Sequence, residues 1–329
     1  MDHRKRMWLE KLVANSYNNT TGIIVLKDGK NLYERYFNGY SAEDAVHVAS
    51  VTKSIFSALI GIAIEKGYIK SIEQKVLEFF PDYRIAEGEK GIQSVTIKHM
   101  LTMTAPYKYK SEPYEAFFAS DNWINAALKV LGGKEPSNQF TYSAIVGTHI
   151  LSGILVKATG QSVFDFAAQH LFLPLELSVR NNKILHNKEE QLAFFEAGNK
   201  SSGWAADPQG LNPAGWGLTL TPMDMGKIGQ LYLNGGRWKG EQIVSEAWIK
   251  ESTKEQSRCT QWDNLPYGYL WWIMDEKEHS YAALGDGGNV IYINEKKKLV
   301  VSIAALFVPR AKDRIKLIKE YIEPMLEDL

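Results

Sequence analysis

A serine and a lysine three positions apart, Ser50 and Lys53, form the sharpest chemical pattern in this 329-residue chain. They stand where a polar segment gives way to an apolar stretch, so the sequence predicts a helix over 50–66 that is stopped by Gly67. Residues i and i+3 share a helical face, which brings the Lys53 ammonium within reach of the Ser50 hydroxyl. A serine hydroxyl needs a base to become a good nucleophile, and a buried lysine with a lowered pKa can be that base. The N–H groups at the start of the helix would favour a developing oxyanion.

The Ser-x-x-Lys pattern alone is weak evidence for this chemistry. In a chain this rich in serine and lysine, about one such pattern is expected by chance. The competing interpretation is a serine that caps a helix, followed one turn later by a solvated lysine. The rest of the sequence has to decide between the two interpretations.

The strand signal is concentrated at the two ends of the chain. An amphipathic helix over 4–15 precedes a predicted β-hairpin, 22–26 and 31–37, whose turn contains Asp28 and Gly29. Strands at both ends around a helical middle indicate an α/β (α+β) fold, with a discontinuous sheet domain, 1–54 and 256–329, and a mainly helical domain, 55–255. Other predicted elements are helices over 122–130, 144–159, 163–171, 222–233 and 311–328, and strands over 267–274, 280–285, 290–293 and 298–307.

Composition excludes several classes of protein. The chain has 38 Lys+Arg and 38 Asp+Glu, so it lacks the basic excess expected of a protein that binds nucleic acid or an anionic membrane. Its N-terminus is basic and then polar, without the apolar core of a signal peptide. The single cysteine, Cys259, has no partner for an internal disulfide, which fits a reducing compartment. We therefore expect a cytoplasmic protein with neither nucleic acid nor membrane as a partner.

Several further segments follow one another in an order typical of one enzyme superfamily. They are Val-Ala-Ser-Val-Thr-Lys from Val48, Val-Thr-Ile-Lys-His-Met-Leu-Thr from Val95, Phe-Thr-Tyr-Ser from Phe140, Gly-Trp-Gly-Leu-Thr-Leu-Thr-Pro from Gly215 and Tyr-Gly-Tyr-Leu-Trp-Trp from Tyr267. In this order they resemble the serine β-lactamase and penicillin-binding-protein superfamily, and specifically its class C-like branch of esterases, amidases and D-aminopeptidases. The resemblance implies a β-lactamase/transpeptidase-like fold, an antiparallel sheet flanked by helices with a helical lobe, and an active site at their junction.

The resemblance also implies acyl transfer. Ser50 would attack an ester or amide carbonyl, and water would later hydrolyse the acyl-enzyme. Lys53 would accept the proton or act electrostatically. Tyr142 falls at the tyrosine position of the superfamily and would protonate the leaving group, its phenolate favoured by the Lys53 charge. The competing interpretation of Tyr142 is a half-buried aromatic residue with a locally bonded hydroxyl.

The third motif of the superfamily, Lys-Thr-Gly or His-x-Gly on an edge strand, is where this sequence departs most. Our preferred register is Leu284-Gly285-Asp286, in which the Asp286 N–H joins that of Ser50 in the oxyanion hole and Leu284 and Gly285 bind substrate. The competing register is 286–288, Asp-Gly-Gly. Neither register supplies the lysine or histidine that would bind the carboxylate of a β-lactam or D-Ala-D-Ala substrate.

Two other positions bear on the substrate. Ala144 stands where the superfamily has an asparagine that hydrogen-bonds the acyl amide of peptide-like substrates, so such an amide would lose a partner. Trp216 is a candidate for lining an apolar substrate pocket, although core packing is the commoner role of a tryptophan. Together with the altered third motif, these features favour a small neutral ester or amide over a β-lactam.

Other chemistries find little support in the sequence. The seven histidines show no HExxH or HxH spacing, so we predict no metal site, and we expect no organic cofactor. His47 and His99 are interpreted as structural histidines, and no G-x-S-x-G elbow is present. The sequence thus predicts a serine hydrolase of the carboxylesterase or small-amide hydrolase type. A β-lactamase or D-Ala-directed peptidase, and a non-catalytic binding module on the same fold, remain alternatives; the oligomeric state is left open.

Overall fold

The computed structural model describes residues 3–137, 139–186, 188–196, 200 and 202–326. The strands are β1 Thr20–Lys27, β2 Lys30–Tyr36, β3 Val46–His47, β4 Asn182–Ile184, β5 Gly203–Ala206, β6 Leu218–Leu220, β7 Arg237–Trp238, β8 Glu241–Gln242, β9 Ser257–Cys259, β10 Leu265–Tyr267, β11 Trp272–Asp275, β12 Ser280–Gly285, β13 Asn289–Asn294 and β14 Leu299–Ala305. The α-helices are α1 His3–Ser16, α2 Val51–Glu65, α3 Ile97–Leu101, α4 Tyr114–Phe118, α5 Trp123–Val130, α6 His149–Thr159, α7 Val163–Ala167, α8 Lys188–Glu196, α9 Pro222–Leu233, α10 Glu246–Ser252 and α11 Arg314–Leu317.

The two ends of the chain build one large antiparallel sheet, with strand order β2-β1-β14-β13-β12-β11-β10-β9. The predicted N-terminal hairpin is present, and its turn residues Asp28 and Gly29 have φ values of 50° and 75°. The predicted antiparallel sheet flanked by helices is therefore confirmed. The limits of the two predicted domains stay a prediction.

Each face of this sheet packs against helices. Alternate residues of β1 point to opposite faces, so Ile23 and Val25 share a core with α1 and the C-terminal helical turns, whereas Ile24 belongs to the larger core. On that second face α9 lies directly on the sheet, where the Ser302 hydroxyl donates to the Pro222 carbonyl oxygen at 2.7 Å. Both faces of the sheet are thus buried.

Helix α2 runs between the sheet and the helical part of the chain. Every residue from Val51 to Ala63 is buried, which accounts for the predominantly apolar sequence of this helix. On one side Gly61 lets the indole of Trp248 approach closely, because a side chain there would overlap that ring. Helix α2 is consequently packed in on several sides.

Some elements differ from the sequence prediction. A second sheet with order β3-β6-β5-β4 was not predicted, since its strands have only two to four residues and carry no periodic signal. Helix α6 begins at His149 and not at 144. The predicted C-terminal helix is a short α11 followed by π and 3₁₀ turns, Ile318–Ile322 and Glu323–Leu326; residues 327 and 328 lie outside the described residues. Within the described part of the chain, no helix is both long enough and apolar enough to cross a bilayer.

Candidate active site

Ser50 occupies the N-cap position of α2, but its hydroxyl makes no capping hydrogen bond. The preceding residue, Ala49, has φ 48°, in the left-handed region that residues with a side chain seldom adopt. Such strain is typical of functional turns. Because the hydroxyl is not used as a cap, the competing interpretation of Ser50 as a simple helix cap is not supported.

Lys53 lies one turn along α2 and is only 2% exposed. Its Nζ donates to the Ser50 Oγ at 2.8 Å, to the Ala144 carbonyl oxygen at 2.7 Å and to the Gly215 carbonyl oxygen at 2.9 Å. Two backbone carbonyls from distant segments therefore aim the amine at the serine. The solvated lysine of the competing interpretation is excluded by this burial.

Burial also changes the proton affinity of Lys53. It lowers the pKa of Lys53 from 10.5 to about 7, against the opposing effect of the Glu112 and Asp286 carboxylates. Near neutral pH a large fraction of this amine is then uncharged and has a free electron pair. An uncharged amine 2.8 Å from the hydroxyl can accept its proton.

Tyr142 lies on the other side of the lysine, with the Lys53 Nζ 5.2 Å from the centre of its ring. Burial raises the pKa of Tyr142, and a hydrogen bond with the Ser50 side chain acts in the opposite direction. The raised pKa favours the neutral phenol, so the expectation of a phenolate was wrong. The desolvation of the phenolate is the main cause, and the nearby Asp286 and Glu112 carboxylates add to it.

Glu112 is the site residue that sequence reasoning missed. Its carboxylate accepts hydrogen bonds from the backbone N–H groups of Ala144 at 3.1 Å, Ile145 at 3.2 Å and Val146 at 3.2 Å, and from the Ser143 hydroxyl. The N–H groups of residues 144–146 thus bond to the Glu112 carboxylate in a tight turn just after Tyr142. This turn accounts for the start of α6 at His149 and not at 144. No sequence signal links Glu112 to residues more than thirty positions away.

The third-motif strand, β12, ends beside the nucleophile. A Cβ atom at Gly285 would lie 2.2 Å from the Val48 carbonyl oxygen and 3.2 Å from the Ser50 backbone nitrogen. Asp286 is the first residue beyond the strand, whereas Gly287 and Gly288 form a turn with φ 81° and 94°. This geometry favours the register Leu284-Gly285-Asp286, because the competing register lies mostly in the turn.

The turn after β12 is held by two asparagines. Asn19 Nδ2 donates to the Gly287 carbonyl oxygen at 2.7 Å, and Asn289 Nδ2 donates to the Asp286 carbonyl oxygen at 2.8 Å. The buried Arg314 donates in turn to Asn19 Oδ1 at 2.6 Å. The backbone around Asp286 is consequently fixed from both chain ends.

Trp216 does not lie on the open surface of the site. Its side chain is 3% exposed, and its ring packs edge-on or stacked against other aromatic rings. This position argues against direct contact with a substrate and favours a role in the wall behind Gly215. Its ring neighbours are His47, Phe118, Trp123, Phe194 and Phe195.

The two histidines near the motifs are structural, as expected. His47 Nε2 accepts a hydrogen bond from the Gly217 N–H at 2.9 Å, and burial lowers the pKa of His47 to about 3. His99 Nδ1 accepts from the Thr96 N–H at 3.0 Å and so closes the first turn of α3. Neither ring is placed to act on the Ser50 hydroxyl.

A small cavity opens beside the nucleophile turn. It has a volume of about 220 Å³, and Ala49 and Asp286 form its wall next to the site. The rest of the lining is Asn19, Val46, His47, Phe195, Ala305, Leu306, Phe307 and Val308. The cavity is large enough for a short acyl chain or a small leaving group, and most of its wall is apolar.

The chain is similar to known proteins over most of its length. The beta-lactamase family model matches residues 9–321. The 6-aminohexanoate-dimer hydrolase of Paenarthrobacter ureafaciens is 19% identical over 302 residues, which cover 86% of this chain and 71% of that protein. The octameric penicillin-binding protein homologue from Pyrococcus abyssi superposes with a TM-score of 0.70 at 21% identity, over 99% of this chain and 78% of that one. A family VIII carboxylesterase superposes with a TM-score of 0.68 at 15% identity, over 97% and 96%.

Taken with Ser50 and the buried Lys53 beside it, these matches define a serine hydrolase. The chain belongs to the beta-lactamase family, which its match over most of the length establishes. The two superposed structures share its fold. The prediction of a β-lactamase/transpeptidase-like fold is thereby confirmed.

Proposed function

We propose that this protein hydrolyses a small ester or amide through an acyl-enzyme formed on Ser50. The observation that carries the proposal is the Lys53 Nζ, buried and 2.8 Å from the Ser50 Oγ, with a pKa lowered to about 7. A helix cap needs no such amine, and a binding module needs no activated nucleophile. Catalysis is therefore the function that this arrangement supports best.

The steps follow from the positions of the side chains. The uncharged Lys53 amine takes the Ser50 proton as Oγ attacks the carbonyl carbon, and the backbone N–H groups of Ser50 and Asp286 stabilise the oxyanion. The neutral phenol of Tyr142 donates its proton to the leaving oxygen or nitrogen, and the Lys53 ammonium restores that proton. Water then attacks the acyl-enzyme by the same route and releases the acid.

The substrate class follows from what surrounds Ser50. In the favoured register Leu284 stands where relatives that bind β-lactams need a cation, and the exposed carboxylate of Asp286, two residues later, would repel an anionic substrate. Ala144 offers no side-chain hydrogen bond to an acyl amide. The small apolar cavity next to Ala49 suits a short acyl or alcohol group. A similar protein is named for hydrolysis of the 6-aminohexanoate dimer, and another is a carboxylesterase.

Turnover of p-nitrophenyl butyrate and of nitrocefin tests this proposal. We expect the ester to be hydrolysed with a kcat/KM about 100-fold higher than nitrocefin, because the anionic β-lactam is repelled by Asp286 and finds no cation for its carboxylate. The activity should disappear in Ser50→Ala and persist in Ser57→Ala, a buried serine further along α2. The reverse ranking would support the β-lactamase or D-Ala-directed peptidase alternative. No turnover by folded wild-type protein would support the non-catalytic module.

Two finer assignments complete the proposal. Within the superfamily we assign the chain to the class C-like branch, on the order of its motifs. We also propose a cytoplasmic location, which is supported by the buried and unpaired Cys259, the only cysteine of the chain.

A further inference from the structure

One partly buried network next to the nucleophile has no role in the steps above. Glu112, on the loop before α4, accepts hydrogen bonds from three consecutive backbone N–H groups and two hydroxyls. The hydroxyl of Tyr109 donates to its Oε1 at 3.2 Å, in addition to the Ser143 hydroxyl. A carboxylate with this many donors fixes the backbone that surrounds it.

The fixed backbone leads directly to the lysine. Glu112 Oε2 accepts from the Ala144 N–H at 3.1 Å, and the carbonyl oxygen of the same Ala144 accepts from the Lys53 Nζ at 2.7 Å. Tyr142 lies two residues earlier on the same segment. The Glu112 side chain therefore holds the segment that carries Tyr142 and the Ala144 carbonyl to which Lys53 is bonded.

We propose that Glu112 is a positioning residue for acylation, which holds the segment from Tyr142 to Val146 so that the Ala144 carbonyl keeps the Lys53 amine beside Ser50. This inference rests on the proposed acyl-enzyme chemistry. Glu112 acts through Ala144 and Tyr142 and itself contacts neither substrate nor nucleophile.

The charge of Glu112 has a second, measurable effect. The charged and titratable groups that face Lys53 are the Glu112 and Asp286 carboxylates and the Tyr142 phenol. Around Glu112 lie the phenols of Tyr107, Tyr109, Tyr114 and Tyr142. The Glu112 carboxylate raises the pKa of Lys53 because it favours the ammonium form. Removing its charge should therefore shift the acid limb of activity to lower pH, which loss of a merely structural contact would not do.

The experiment compares Glu112→Gln, Glu112→Asp and the control Glu89→Gln in the full-length protein. Glu89 is a matched carboxylate, since it also accepts loop N–H groups, from Ile92 at 3.2 Å and Gly133 at 3.1 Å. It is not among the groups that act on Lys53. The readouts are kcat and the pH dependence of kcat/KM for p-nitrophenyl butyrate between pH 5 and 9.

For Glu112→Gln we expect kcat to fall about tenfold and the acid limb to move down by about 0.5 to 1 pH unit. Glu112→Asp keeps the charge but shortens the side chain, so its acid limb should stay in place while kcat falls several-fold. Glu89→Gln should match the wild type in both readouts.

Two results would overturn the inference. An unshifted acid limb in folded Glu112→Gln would leave Glu112 a structural contact only. If Glu112→Gln does not fold, wild-type kcat in Glu112→Asp would overturn the positioning role. Failure of the proposed function looks different, because wild-type protein itself would then show no esterase activity.

Discussion

Strand β12 lies so close to the nucleophile turn that one added methyl group, in Gly285→Ala, should disturb the active site. The added Cβ would sit 2.2 Å from the Val48 carbonyl oxygen and 3.2 Å from the backbone nitrogens of Ser50 and Val51. Because the first contact is far below an ordinary carbon–oxygen distance, the strand and the turn must separate by about 1 Å. That movement takes the Asp286 N–H away from the Ser50 N–H.

We expect Gly285→Ala to lower kcat strongly and the free energy of unfolding to a smaller extent. Misplacing one oxyanion donor by about 1 Å lowers kcat by about 100-fold. The assay is steady-state hydrolysis of p-nitrophenyl butyrate, with urea unfolding of the same sample to show that the variant is folded.

The chain offers a matched control for this substitution. In Gly226→Ala, on α9, the new Cβ would meet its nearest atoms, Ser302 Oγ and Ile24 Cγ2, at 3.5 and 3.6 Å, which are ordinary contacts. This variant should keep wild-type kcat and gain up to about 1 kcal/mol in the free energy of unfolding, since alanine favours a helix over glycine. A folded Gly285→Ala with kcat within about threefold of wild type would refute the assignment of β12 to the oxyanion hole.

Two further predictions concern proton transfer. Esterase kcat/KM should rise with pH through an acid limb near 7, because Lys53 accepts a proton only when uncharged; at pH 5 about 1% of the amine is uncharged, so activity should be about 50-fold lower than at pH 7. A profile that is flat down to pH 5 would remove Lys53 as the base. Tyr142→Phe should lower turnover of an anilide amide by about 100-fold or more and of p-nitrophenyl butyrate much less, because a nitrophenolate leaves without a proton. Equal losses for both substrates would contradict the role of Tyr142 as proton donor.

Much of the fold could be predicted because its main elements carry strong periodic signals. The hairpin around Asp28, the apolar helix α2 and the strands β12 to β14 each combine a clear pattern with a turn or a cap. The strands β3 and β6 could not be predicted, since two or three residues hold no period and are defined only by their neighbours in space.

The candidate site, too, could be predicted from the sequence only in part. Ser50 and Lys53 are joined by helix geometry, so their contact could be predicted from spacing alone. Glu112 could not, because it meets Ala144 only through a loop between two segments distant in sequence. The burial of Trp216 and the neutral state of Tyr142 depend on how tightly side chains pack around them, which no motif records.

Labelling with a fluorophosphonate tests the central claim, an activated nucleophile at Ser50, most directly. Peptide mass spectrometry of labelled wild-type protein should place a single adduct on Ser50, and Ser50→Ala should carry none while Ser57→Ala is labelled normally. Folded wild-type protein without an adduct, or an adduct that persists in Ser50→Ala, would contradict the claim.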